Sequence, residues 1–191
     1  MNLKNKLAIF DLDGTLFDTK DVNYNAYQNA IKMLGIDAEI DYNNFCNLYN
    51  GKNYREFLPK IIPNISEEQL KKIHNFKKNI YQEHLDKAKK NDLLFSMIEE
   101  IKEKFYISIV TNASKKNVKD ILEKFSVENL FDLLITQEDV KNPKPSAEGF
   151  LKAMNYFNIS KENTIIFEDS EIGIQAANKA ETNYVKVYGY N

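Results

Sequence analysis

The apolar run Leu7-Ala8-Ile9-Phe10 breaks straight into Asp11-Leu12-Asp13-Gly14, and no other feature of this 191-residue chain restricts its fold as much. Four apolar residues closed by a glycine turn read as a buried strand. The strand delivers its two acids to its C-terminal end, where parallel α/β sheets keep their ligand sites. Acids beside a core are costly unless positive charge meets them there. In extended chain, residues two apart share a face. Asp11 and Asp13 can therefore serve one ion or one substrate, unless the turn at Gly14 rotates the second. Close carboxylates repel, so one holds a proton or a cation sits between them. A hard, oxygen-liganded ion such as Mg²⁺ suits that arrangement. One acid attacking as a nucleophile while the other moves protons is chemistry open to such a pair. The plain alternative is an Asp-Gly turn closing a strand.

The pattern recurs. Ile107-Ser108-Ile109-Val110 is a second apolar strand, ending at Thr111-Asn112, and Ile165-Ile166-Phe167 is a third, ending at Glu168-Asp169. Between them, Asn142-Pro143-Lys144-Pro145 fixes a lysine between two prolines. Helices near 93–104, 115–125, 147–157 and 172–179 lead in turn to strands 106–110, 133–136, 164–167 and 184–188. Repeated units of this kind imply a parallel sheet with helices on both faces. The middle of the chain reads differently. Residues 22–34 carry apolar side chains at helical spacing and stop at Gly35, and 42–49 and 54–62 are shorter helical candidates. Ser66-Glu67-Glu68-Gln69 has the form of a capping box opening a long helix to about Lys89. This stretch far exceeds what a crossover helix needs.

An acid pair, a hydroxyl, a stiffened lysine and a second acid pair, in that order, resemble the haloacid dehalogenase superfamily, in its phosphoglycolate phosphatase and β-phosphoglucomutase-like branch. The matching pieces are Asp11-Leu12-Asp13-Gly14-Thr15-Leu16, Val110-Thr111-Asn112, Lys144-Pro145, and Phe167-Glu168-Asp169-Ser170 with Gly173 and Ala176-Ala177. They span the chain from about Lys6 to Tyr188. The resemblance implies an α/β fold: a Rossmann-like parallel sheet core from residues 1–19 and 91–191, with an inserted all-α helical cap at 20–90 that sets substrate specificity. It implies a Mg²⁺-dependent phosphatase that hydrolyses a small soluble phosphomonoester, of the sugar, polyol or amino-alcohol class, through an aspartyl-phosphate. Asp11 would be the nucleophile and Asp13 the acid and base. Thr111, helped by the backbone of Asn112, would bind a phosphoryl oxygen, and Lys144 would neutralise charge and orient Asp11. Asp11, the Asp13 carbonyl and Asp169 would hold the Mg²⁺, with Glu168 supporting it directly or through water. Plainer readings exist for each piece: Thr111-Asn112 as a helix cap, Lys144 as a solvated loop lysine, and Glu168-Asp169-Ser170 as a helix N-terminus.

In the helical stretch, Gly51-Lys52-Asn53-Tyr54-Arg55 is the candidate for substrate recognition. Arg55 is the only arginine beside 25 lysines, and its guanidinium offers a fork to phosphate or carboxylate. Lys52 is a weaker version of the same idea. The plain alternative for Arg55 is a surface ion pair with an acid such as Glu56 or Glu100. His74 and His84 read as solvated or packing residues, and Tyr24, Tyr27 and Tyr54 as packing of the helical stretch.

A composition of 43% hydrophobic and 28% charged residues suits one sizeable core, or a core with a small second domain. The net charge of −2 gives no reason to expect nucleic acid or an anionic membrane as partner. No apolar run is long enough to span a bilayer, and Asp11 and Asp13 interrupt any signal-peptide core. Cys46 stands alone, which leaves it a buried packing role. The expected setting is cytoplasmic and the expected partner a small phosphorylated metabolite.

Three relatives with other activities are weighed against the phosphatase. A β-phosphoglucomutase carries a histidine shortly after its Asp-Thr pair, whereas here Asp18-Thr19 is followed by Asn23 at the matching position. Dehalogenases lack the second acid of the first motif. A phosphonatase needs a lysine in the cap placed to form a Schiff base with its substrate. A non-catalytic phosphate-binding module is the alternative from another class.

Overall fold

The computed structural model describes residues 4–189. In chain order its strands are β1 (Lys6–Phe10), β2 (Phe17–Asp18), β3 (Lys89–Lys90), β4 (Phe105–Val110), β5 (Leu133–Ile135), β6 (Thr164–Glu168) and β7 (Asn183–Lys186). Its α-helices are α1 (Lys20–Met33), α2 (Tyr42–Asn44), α3 (Tyr54–Ile61), α4 (Glu67–Ile80), α5 (Asp92–Ile101), α6 (Lys115–Phe125), α7 (Glu148–Phe157) and α8 (Glu171–Lys179).

Five strands form one sheet in the order β5-β4-β1-β6-β7, and every neighbouring pair is parallel. β1 lies at the centre, with Ala8 opposite Ile107 on one side and Ile165 on the other. Alternation of side chains sorts the two faces. Leu7, Ile9, Val110 and Ile166 form one cluster with Phe150, Ala153 and Met154 of α7 and with Ala176 and Ala177 of α8. Phe10 stacks on Phe167 with ring centroids 4.6 Å apart. Phe17 packs against Phe95 of α5 and Phe125 of α6. The helices therefore cover both faces, as right-handed crossovers require. α7 approaches the sheet closely at Gly149, where a Cβ would lie 2.7 Å from Val110 Cγ1. The chain steps outward from β1 through β4 to β5, then returns to place β6 on the other side of β1. That reversal opens a crevice at the C-terminal ends of β1 and β6.

The chain passes from one compact unit to a second at Asp18/Thr19 and returns at Ala88/Lys89. The exit and return are clasped together in the first unit, where β2 pairs antiparallel with β3, Phe17 opposite Lys90 and Asp18 opposite Lys89. Two-residue strands carry no periodic signal, and the sequence gives no warning of this pair.

The second unit is helical. α1 buries Val22, Ala26, Tyr27, Ala30 and Ile31 and ends before Gly35, which takes a φ of +67°. The helical stretch expected over 42–49 is α2 continued by a π-helical turn, Phe45–Tyr49. The capping box at Ser66 forms: Ser66 Oγ accepts from Gln69 N, and Gln69 Oε1 accepts from Ser66 N. The helix it opens stops at Ile80, short of the expected Lys89, and tightens into a 3₁₀ segment, Tyr81–Lys87, that contains His84. The unit's own core gathers Ile31, Phe45, Phe57, Leu58 and Ile73. Among the described residues, no helix is long and apolar enough to cross a membrane.

Candidate active site

β1 sets the position of Asp11, whose N–H donates to Phe167 O at 3.0 Å and so ties the strand end to β6. The backbone then turns at Gly14, φ +91°, and closes on itself through Gly14 N to Phe17 O at 2.7 Å and Phe17 N to Leu12 O at 3.0 Å. Beside it, β6 ends in Glu168 and leads into Asp169. Ser170 then caps α8, its Oγ accepting from Gly173 N at 3.1 Å. The loop after β5 brings in Lys144.

The four side chains meet. Lys144 Nζ donates to Asp11 Oδ1 at 2.7 Å and to Glu168 Oε1 at 2.5 Å. Glu168 is fully buried, and the Lys144 side chain is 5% exposed. Carboxylate oxygens of Asp11, Glu168 and Asp169 all lie within 4.8 Å of one another. One ammonium faces three acids. Burial pushes the Asp11 carboxyl well above the usual range, against the pull of Lys144, and the charges of Glu168, Asp169 and Asp13 add to the rise. Burial and the charge of Glu168 lift Asp169 to about 6, although Thr15 Oγ1 donates to its Oδ1 at 2.9 Å. For Lys144, burial works against the charged form, but Asp11 and Glu168 outweigh it and hold the ammonium above its ordinary range. An all-oxygen cluster with excess negative charge in a desolvated crevice fits a hard divalent cation, and Mg²⁺ is a suitable one.

Space is as tightly assigned as charge. A Cβ on Gly14 would stand 2.2 Å from Asp169 Oδ2, and one on Gly173 would stand 1.8 Å from Glu168 Oε1. Both glycines leave room for carboxylates. Glu168 uses its other oxygen, Oε2, to accept from Ser170 N at 3.0 Å and Ser170 Oγ at 2.9 Å. The Asp13 carboxylate is not one of the three acids clustered among the described residues.

Thr111 and Asn112 follow β4. Thr111 N donates to Ile135 O at 3.0 Å, and Thr111 Oγ1 accepts from Ala113 N at 3.1 Å. Neither residue caps α6, because Ser114 does so by accepting from Asn117 N. The Asn112 side chain instead holds the main chain of Lys144, accepting from its N at 2.9 Å and donating to its O at 3.2 Å. The sequence reading assigned no role to this amide or to Thr15. The only signal for either was its place inside a quoted motif.

Arg55 and Lys52 belong to the helical unit, where Lys52 is exposed. Arg55 makes an ion pair, but with Glu67 and not with Glu56 or Glu100: its Nε and Nη2 both donate to Glu67 Oε1, at 3.1 and 2.5 Å. Tyr24, Tyr27 and Tyr54 pack as expected, on Tyr42, Phe57 and His74 respectively. Cys46 is half-buried and not buried as expected.

The sequence model of one family, described as haloacid dehalogenase-like hydrolase, matches residues 8–187. A phosphorylated carbohydrates phosphatase of Thermotoga maritima is 28% identical over 188 residues, covering 95% of this chain and 83% of the relative. A phosphoglycolate phosphatase of Aquifex aeolicus is 27% identical, covering 97% and 86%. The crystal structure of a β-phosphoglucomutase from Clostridium difficile superposes with a TM-score of 0.80 at 28% identity, covering 97% of this chain and 85% of that one. Asp11 after β1, Lys144 in the loop after β5, Glu168 at the end of β6 and Asp169 just beyond it come together in the structure. The chain belongs to the haloacid dehalogenase-like hydrolases, in their phosphoglycolate phosphatase and β-phosphoglucomutase-like branch.

Proposed function

We propose that this protein is a Mg²⁺-dependent phosphatase that hydrolyses a small soluble phosphomonoester by way of an aspartyl-phosphate on Asp11. The coarser part, phosphoric monoester hydrolysis, accords with family membership and with the phosphatases among its relatives. One observation carries the finer part: Asp11, Lys144, Glu168 and Asp169, far apart in sequence, converge in a buried crevice with one cation among three acids.

In this reading Lys144 and the acid cluster orient Asp11 so that its free carboxylate lobe faces phosphorus. Asp11 attacks, the ester P–O bond breaks, and Asp13 gives its proton to the departing alkoxide. Asp13 then takes a proton from the water that splits the aspartyl-phosphate, which returns Asp11 and releases phosphate. Thr111 donates its hydroxyl to a phosphoryl oxygen. Mg²⁺ held by Asp11, Asp169 and the Asp13 carbonyl would supply the positive charge that lets an anion approach an anion. Glu168, with both oxygens engaged by Lys144 and Ser170, supports the site by fixing that lysine. Positioning and electrostatics are what phosphoryl transfer chiefly needs. Residues 1–19 and 91–191 supply this chemistry, and the helical insert 20–90 selects the leaving group from among sugar, polyol and amino-alcohol phosphates.

Phosphate release from p-nitrophenyl phosphate and from a panel of phosphorylated metabolites, with Mg²⁺ and after chelation, tests the proposal. Asp11→Asn should lower kcat by at least about a thousand-fold with the fold retained. Near-normal turnover would remove Asp11 as nucleophile. A mutase is the second reading, favoured by the likeness to a β-phosphoglucomutase. Against it, Asn23 stands where that enzyme type carries a histidine, and its Nδ2 donates to Thr19 Oγ1 at 3.1 Å. A positional isomer formed from a sugar phosphate, in place of free phosphate, would establish the mutase.

A further inference from the structure

We infer that the side chain of Asn112 is a positioning residue for Lys144, and that it acts on catalysis through that lysine and not by touching the phosphate. The inference rests on the phosphatase reading and assigns a part in it to a group that reading leaves unused.

The amide meets both main-chain groups of one residue 32 positions away, with Oδ1 on Lys144 N at 2.9 Å and Nδ2 on Lys144 O at 3.2 Å. An acceptor and a donor in one plane are what an asparagine offers and what an aspartate, serine or leucine does not. Neighbouring contacts hold the loop on either side of the lysine. Glu148 accepts from Lys141 N and Asn142 N, each at 2.9 Å. Lys179 Nζ donates to Pro145 O, and Ser146 N to Pro143 O, again at 2.9 Å. Asn112 is the contact made on the lysine's own backbone, and it comes from the residue directly after Thr111. One side chain thus keeps the hydroxyl that would meet the phosphate and the ammonium that orients Asp11 in one register. The cavity beneath the loop, lined by Thr111, Asn112, Lys144 and Phe150 among others, measures about 10 Å³. That is room for about one water. Lys144 must reach Asp11 and Glu168 at once, and a displacement of about 1 Å at such a group is enough to cost about a hundred-fold in rate.

Steady-state kinetics with p-nitrophenyl phosphate and Mg²⁺, together with hydrogen exchange, test this. Asn112→Ala should lower kcat by about ten- to a hundred-fold with KM changed by less than about three-fold. The double variant Asn112→Ala/Lys144→Ala should be no slower than Lys144→Ala, because the amide has nothing left to position. Losses that multiply in the double variant, or a raised KM with kcat retained, would overturn the inference and make Asn112 an independent substrate contact. Asn112→Asp keeps an acceptor for Lys144 N–H but sets an oxygen against Lys144 O, and it should lose activity as Ala does; wild-type turnover in this variant would also overturn the inference. Exchange supplies a readout free of activity: the Lys144 amide should lose protection in Asn112→Ala and keep it in Asn112→Asp. Unchanged protection in the alanine variant would overturn the clamp. Should the wild-type protein release no phosphate from any ester, the phosphatase reading fails by itself, and the exchange measurement still decides whether the clamp exists.

Discussion

Glu168 is held by Lys144 and Ser170, and its carboxylate fills the space over Gly173. Helix-interior glycine usually costs about 0.5–1 kcal/mol relative to alanine, so Gly173→Ala would ordinarily stabilise α8. Here the added methyl would fall 1.8 Å from Glu168 Oε1. The expected result is the reverse, a loss of about 1–3 kcal/mol in urea unfolding together with reduced turnover as Lys144 loses its second acid. Asp169 carries a pH prediction. Its carboxyl is lifted to about 6 from an ordinary 3.8, by burial and the charge of Glu168, so below pH 6 a proton must leave before a cation can enter. Mg²⁺ affinity measured by calorimetry should therefore fall by at least about ten-fold between pH 7 and pH 5, since Asp11 is raised as well; a flat profile would mean that Asp169 is not a ligand. The acids themselves were legible, because a carboxylate directly after an apolar strand has few structural reasons to be there. Of their partners, only Lys144 was named beforehand, through the resemblance. Which oxygen meets Lys144, and that Thr15 holds Asp169, depend on residues 133 and 154 positions apart.

Helices announced themselves where their signals are local. The box at Ser66 and the stop at Gly35 each involve neighbours within four residues, and both form as read. The end of α4 was misjudged by nine residues, because apolar spacing does not separate an α-turn from the 3₁₀ turn that follows it. α4 also carries the clearest titration outside the acid cluster. His74 stacks on Tyr54 at 4.0 Å. Burial, then the charges of Lys77, Lys78 and Arg55, lower its pKa from 6.5 to about 3. A depressed histidine means that the unfolded chain binds the proton first, so stability is lost as pH falls through 6.5 toward 3. His74→Phe keeps the stack and removes the titration. Its melting temperature should decline less than wild type between pH 7 and pH 4, and an equal decline in both proteins would assign the acid sensitivity elsewhere.

At the scale of the molecule, the acid cluster belongs to the unit built from both ends of the described chain, with Asp11 leaving β1 and Asp169 following β6. A cation shared by these two segments would bind only the folded sheet and stabilise it by mass action, by about 2.7 kcal/mol at a hundred times its dissociation constant. Mg²⁺ should raise the melting temperature of the wild-type protein in a concentration-dependent way and leave that of Asp169→Asn unchanged. A shift of equal size in the variant would place the ion elsewhere. The alternation of strands and helices was enough to foresee a parallel sheet covered on both faces. The β2–β3 clasp at the passage between the two units was invisible, because two residues cannot show a period.

Sequence by itself determined the parts: apolar strands that end in polar pairs, a lysine held between prolines, and a helical insertion too long to be a crossover. These are local matters of burial, turn chemistry and spacing, and neighbours in the chain settle them. Only the tertiary structure decided that one ammonium would be shared by Asp11 and Glu168, that two glycines would stand aside for carboxylates, and that Asn112 would grip the backbone of Lys144. Those choices turn on distances of a few tenths of an ångström between segments that meet only once the sheet has formed, and no periodicity along the chain records them.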